Sequence, residues 1–138
     1  MPKKKKAKAN KISRDVKIPE TKNLELSFSF RYLDLTNPKF SSEKFDLDYF
    51  LKLLARLRDL SSLKVLELKS NRSSALRCHP INWSDTTENC FGIPNEDQIA
   101  PEPYQISISA NKDGRVHGFF LVDVFYIVWL DPDHALYP

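Results

Sequence analysis

From residue 24 to residue 32 apolar and polar side chains alternate without a fault, and this period of two predicts a strand with Leu24, Leu26, Phe28, Phe30 and Tyr32 on one side. Asn37-Pro38 then marks a turn, after which Ser41, Ser42 or Asp46 can cap a helix. Leu47, Phe50, Leu51, Leu54 and Leu57 recur there at helical spacing and predict its buried face. Ser61-Ser62 interrupts the pattern and can recap a short second helix through Leu63, Leu66 and Glu67, ending near Asn71. The pair reads as a helical hairpin.

Residues 70–103 hold Pro80, Pro94, Pro101 and Pro103, a single Gly92, and no sustained period of either kind. That is long for a connection in a compact domain, and Ile81, Trp83, Phe91 and Ile93 are the side chains that can pin it to a core. Beyond it the chain turns to β patterning: strands over 104–110, 115–122 and 124–131, with Asp113-Gly114 giving a type I′ hairpin signal. Strand, two helices, long loop and a three-stranded antiparallel meander make an α+β domain with its helices on one face of the sheet.

A tight turn at Val122-Asp123 would set Tyr126 opposite Phe119 and Val128 opposite His117. Arg115, His117, Phe119 and Leu121 would then share a face with Ile106 and Ile108. The other face would mix Ser107, Ser109 and Gly118 with Phe120, Ile127 and Trp129, which suits an aromatic groove or a second packing surface.

At 138 residues, 41% of them hydrophobic, the chain has room for one core without disulfide or metal staples. Its net charge of +3 changes meaning once divided by position. Lys3, Lys4, Lys5, Lys6, Lys8 and Lys11 give the first residues +6, whereas residues 13–138 carry 15 basic and 18 acidic side chains. Residues 1–22 therefore read as a basic disordered tail, and 23–138 as a single, weakly acidic domain. The longest apolar run, near residues 118–130, is broken by Asp123, well short of the roughly 20 apolar residues a membrane helix requires. The basic start is followed by no apolar segment of the secretory kind, so a cytoplasmic address with Cys78 and Cys90 as thiols is expected.

Clustered ammonium groups attract phosphates and release counterions, so the six lysines are candidate nucleic-acid contacts; the plain reading is a solubilising or address segment. Metal-free RNA cleavage needs a base for the 2′-hydroxyl, a cation for the phosphate and an acid for the leaving oxygen. Arg115, His117, His134 and Tyr137 are residues of the right types near the two ends of the meander. Each also has a structural reading: His117 as a satisfied core histidine, Tyr137 as packing for the C-terminus, His134 as a partner of a carbonyl or of Asp133. Cys78, His79 and Cys90 lack the two close ligand pairs of structural zinc, so no metal is expected. Asp85, Glu88, Glu96, Asp97 and Glu102 read as a solvated acidic loop, and three scattered glycines form no phosphate loop.

The order of elements over about residues 24–137 resembles the small RelE/ParE-like toxins of bacterial toxin-antitoxin systems, the HigB and YoeB types above all. In Gly114-Arg115-Val116-His117-Gly118, Arg115 stands where that family carries its catalytic arginine, and His134 and Tyr137 stand where it ends in functional His or aromatic residues. The resemblance implies a cofactor-free mRNA endonuclease acting on RNA at the ribosome and held in check by a protein antitoxin. A second reading is a non-catalytic nucleic-acid-binding or adaptor module, with the lysine tail on phosphates and Trp83, Phe120 and Trp129 as stacking surfaces. A third is a structural partner protein that pairs through an exposed edge of a four-stranded sheet.

Overall fold

The computed structural model describes residues 24–40, 45–70, 77–108 and 114–138. The lysine tail, the caps proposed at Ser41 and Ser42, the helix end at Asn71, Ser109 and the turn residues 111–113 lie outside the described residues.

The first strand of the sheet, β1 (Ser27–Ser29), is shorter than the alternation predicts because its flanks hydrogen-bond elsewhere. Leu26 N donates to Leu63 O at 2.9 Å and Val65 N to Leu24 O at 3.2 Å, so residues 24–26 are tied to the connection between the helices. On the other side Leu33 N closes a turn on Phe30 O at 3.0 Å. Of the alternating stripe, Leu26 is buried and Phe28 half-buried, while Leu24 and Phe30 are exposed.

Helix α1 (Leu47–Leu60) starts at Asp46, whose extended backbone and carboxylate satisfy the first turn by accepting from Tyr49 N at 2.8 Å. Its buried residues are Tyr49, Leu53 and Leu60, with Leu57 half-buried, so the face expected from Leu47, Phe50, Leu51 and Leu54 is not the one against the sheet. The apolar arc is wider than a single contact, and Tyr49 with Leu53 wins the core side. A turn leads to α2 (Val65–Lys69), where Glu67 accepts from Lys64 N at 2.8 Å and Val65 and Leu68 are buried.

The stretch expected as one long loop contains β2 (His79–Pro80), a 3₁₀ turn at Trp83–Asp85 and the short helix α3 (Glu96–Ile99). Ile81 and Phe91 are buried, and Trp83 and Ile93 pack beside them, as their apolar character predicts. Glu96 fixes the loop: its carboxylate accepts from the main-chain N of Phe91 at 3.0 Å, Gly92 at 2.7 Å and Ile93 at 3.3 Å. That carboxylate is thus committed to the main chain, not to a solvated acidic surface.

The meander follows as β3 (Glu102–Ser107), β4 (Arg115–Leu121) and β5 (Val124–Asp131). The sheet has five strands in the order β1-β5-β4-β3-β2, with β1 parallel to β5 and the other pairs antiparallel. Tyr126 pairs with Phe119 as expected, but a bulge at His117/Gly118 inserts Val128 and places Trp129 opposite His117. The faces differ from the parity argument on two counts: the bulge moves Trp129, and the β3–β4 register sets Ser107, not Ile106, opposite Arg115. Ile106 lies opposite Val116, and with Ile108, Phe120, Phe125, Ile127 and Leu130 it packs under the helices. Gln105, Ser107, Arg115, His117, Trp129 and Asp131 share the other face.

That second face is also covered, by irregular chain rather than by helices. Phe40, from a 3₁₀ turn at Pro38–Phe40, stacks on Trp129 at 4.6 Å and 18°, and Phe91 and Leu136 complete the cluster. With Trp129 under this irregular chain and Phe120 under the helices, the two are 1% and 3% exposed, which removes them as stacking surfaces for a nucleic acid.

One turn carries visible strain. Val122, 61% exposed in the β4–β5 turn, has φ of 56°, a left-handed conformation that a β-branched residue adopts at a cost of about 1–2 kcal/mol. Val122→Asn is expected to raise stability by about 0.5–1 kcal/mol, read as a higher midpoint in urea at unchanged slope. An unchanged or lower midpoint would contradict this reading.

Candidate functional site

Two rows of side chains cross the loop-covered face where β3, β4 and β5 run side by side. In one row Ser107 faces Arg115, which faces Asp131; in the next, His79, Gln105, His117 and Trp129 stand opposite one another in turn. Polar groups at this density inside a sheet sandwich must be paired to be tolerated.

Asp131 organises the cluster. Its Oδ2 lies 2.8 Å from His117 Nε2, its Oδ1 accepts from Ala135 N at 2.7 Å, and Oδ2 also accepts from Leu136 N at 3.1 Å. Burial alone would raise its pKa, but the hydrogen bond from His117 and the two main-chain N–H groups outweigh burial and hold it below the ordinary carboxylate value. The carboxylate is therefore the acceptor that turns residues 132–136 back onto the sheet.

His117 has no solvent-accessible surface. Burial is the main cause that pushes its pKa below the ordinary histidine value, with Arg115 and His79 acting in the same direction and Asp131 opposing them. The neutral ring carries its proton on Nε2 toward Asp131, and its Nδ1 has no hydrogen-bond partner, nor has the buried Ser107 Oγ nearby on the same face.

Arg115 is 8% exposed; its Nη1 donates to Gly114 O at 3.1 Å and lies 3.4 Å from His134 Nε2. His134, half-buried with φ of 58°, is held below its ordinary pKa by burial first and by Arg115 next, so Nε2 offers a lone pair to the guanidinium. Arg77, at the entry to β2, acts on both electrostatically: its charge is among the causes that lower the pKa of Arg115 and of His134. A guanidinium and an imidazole thus share one corner of the sheet under the field of Arg77, with Asp131 buried behind them.

Tyr137 is placed apart from that corner. Its hydroxyl accepts from Asn82 N at 3.0 Å and its ring meets His79 edge-on at 5.9 Å. His79 Nδ1 donates to Pro80 O at 2.8 Å, leaving Nε2 to accept from Gln105 Nε2 at 3.1 Å. Of the four residues singled out by type, the fold joins Arg115 to His134, sets His117 behind them on Asp131, and leaves Tyr137 on the β2 loop. Arg77 and Asp131 were not among them; Asp131 stands out in the sequence only as a loose carboxylate pair with Asp133 around Pro132, and the bulge is what sets it opposite Arg115.

A cavity of about 540 Å³ lies elsewhere, between residues 31–36 and 91–95, and contains none of these side chains. Cys78 is buried and Cys90 exposed, and no disulfide joins them. Among the described residues no group of three His, Cys, Asp or Glu side chains is arranged to hold a metal ion. Nor, among them, is any helix long and apolar enough to cross a membrane.

Fold and site together define an α+β domain in which one sheet, roofed by helices and floored by irregular chain, carries a buried His-Asp pair behind a cationic corner. No family model matches the chain, and no curated protein or solved structure is significantly similar to it.

Proposed function

We propose that this protein is an RNA-directed toxin of a toxin-antitoxin pair that cleaves mRNA without a metal, with the Arg115 corner as its phosphate site. The observation that carries this reading is the contact of Arg115 Nη1 with His134 Nε2 at 3.4 Å at one end of the sheet, where a guanidinium and a neutral imidazole stand together and the charge of Arg77 acts on both. The order of strand, helical hairpin and meander supports it, because that order is the one the RelE/ParE-like resemblance rests on. In this reading Arg115 and Arg77 neutralise charge building on the phosphate; His134 Nε2 leaves Arg115 and takes the 2′-hydroxyl proton as the 2′-oxygen bonds to phosphorus, and the P–O5′ bond breaks with the 5′-oxygen taking a proton from water, which leaves a 2′,3′-cyclic phosphate and a 5′-hydroxyl end. His117 acts through Asp131 as a positioning residue, and Tyr137 holds the β2 loop that borders the corner. A protein antitoxin and the ribosome are the partners it implies.

Induced in a bacterial host, the wild-type chain is expected to arrest growth and Arg115→Ala to relieve the arrest. Normal growth in both cases would remove the enzyme.

The near-complete burial of Arg115 and His117 favours a second reading, a non-catalytic nucleic-acid-binding module whose affinity comes from Lys3, Lys4, Lys5, Lys6, Lys8 and Lys11. There, deleting residues 1–12 is expected to flatten the slope of log affinity against log salt for single-stranded RNA by up to about 4. An unchanged slope would leave the tail without a role in binding.

A further inference from the structure

The sheet covers only half of the apolar arc of α1. Leu47, Phe50, Leu51 and Leu54, spaced i, i+3, i+4 and i+7, form a second continuous stripe beside the buried one and are 72%, 38%, 57% and 59% exposed. Together they leave roughly 450 Å² of apolar side chain in water, within the range of the largest patch a monomer ordinarily shows. Phe50 is fixed in place by edge-on contacts with Phe45 at 5.4 Å and Tyr49 at 5.6 Å, so the stripe has a rigid aromatic anchor.

We propose that this stripe is a dimer interface, on which α1 of a second copy of the chain packs antiparallel across a two-fold axis. Area is the first argument. A stable interface takes about 800 Å² from each partner, and the stripe supplies more than half of that as apolar core, leaving a polar rim to complete it.

Charge is the second argument, and it selects both the partner and the direction. Asp48 lies in the first turn of α1 and Arg58 in the last. An antiparallel pair therefore sets Asp48 beside the partner's Arg58 at both ends, whereas a parallel pair would stack like charges. The present companions of these groups, Lys52 at 3.2 Å from Asp48 and Asp59 at 3.0 Å from Arg58, form solvent-exposed pairs of little strength, so neither charge is held back. With the axis between Leu51 and Leu54, Leu51 meets the partner's Leu54 and the stem of Arg58 lies over the partner's Leu47. The helices occupy the sheet face opposite Arg115 and His134, so dimerisation adds no cover to the cationic corner.

Sedimentation velocity on the full chain over a concentration series tests this directly. The wild type is expected to pass from monomer to dimer as concentration rises. Leu51→Glu and Leu54→Glu are expected to weaken association about a hundredfold with unchanged circular dichroism and melting, because both sites are exposed in the single chain. Asp48→Arg or Arg58→Asp alone is expected to weaken it about tenfold, and the two together to restore it. A wild type that stays monomeric at every concentration, a Leu54→Glu chain that dimerises as well as the wild type, or a charge-swapped pair that fails to recover overturns the proposal.

Discussion

Gly118→Ala should be the most damaging single-methyl change in this protein. A Cβ on Gly118 would stand 2.0 Å from Tyr126 O and 2.9 Å from both Tyr126 C and the Phe125 ring. Two of those three obstacles are main chain of the neighbouring strand, which yields only if β4 and β5 separate. The site lies at the bulge between His117 and Gly118, where the strands draw together and the register changes, and it lies on the central strand in the ladder with β5 that orders the polar rows. The expected cost is at least about 3 kcal/mol, seen as a chain that melts about 10 °C lower or more, or fails to accumulate in soluble form. Melting within a few degrees of the wild type would mean that the bulge does not bring the strands this close.

Asp131→Asn should come next. The substitution keeps the shape of the side chain but removes the charge that receives His117 and two main-chain donors in a site of 1% exposure. About 3 kcal/mol of destabilisation is expected, together with faster proteolysis within residues 132–138, which the carboxylate holds to the sheet. The same pair sets the response to acid. The folded pKa of His117 lies below its ordinary 6.5 and that of Asp131 below its ordinary 3.8. His117 therefore contributes its full share of stability above about pH 6.5, and loses it as pH falls further, because the unfolded chain binds a proton that the folded chain refuses. Asp131 contributes above about pH 3.8 and loses its share below that. His134, lowered for the same first cause, adds to the upper limb. Stability read from urea unfolding should thus begin to fall near pH 6.5, not near pH 4, by up to about 1.4 kcal/mol per pH unit for the fully buried His117, with a smaller share from the partly exposed His134. His117→Asn should flatten that limb, and a midpoint level between pH 7 and pH 5 would contradict the burial assigned to the ring.

How much of this was legible in the sequence depends on what each pattern reports. The meander, the Val122-Asp123 turn, the Asp46 cap and the pinning role of Ile81, Trp83, Phe91 and Ile93 all follow from local chemistry, and the fold contains them. The stretch over 70–103 gave no sign of β2 or of α3, and two further features that shape the site were not legible. Periodicity locates the apolar arc of α1 but not which part of it meets the sheet, since Tyr49 and Leu53 compete with Phe50 and Leu54 on equal terms. The bulge at His117/Gly118 has no strong local signature, yet this one-residue shift moves Trp129, not Val128, opposite His117 and brings Asp131 level with Arg115. The candidate site was therefore visible as residue types and invisible as an arrangement: Arg115 and His134 do meet, whereas Asp131 and Arg77 enter only through the fold.

The central claim is that the Arg115 corner acts on RNA, and mapping mRNA ends in a translating bacterial extract containing a chelator tests it most directly. With the wild-type chain, new mRNA ends should appear and persist in the chelator, and Arg115→Ala and His134→Ala should each abolish them while keeping wild-type circular dichroism. Intact mRNA with the wild type, or the same ends with Arg115→Ala, would contradict the claim.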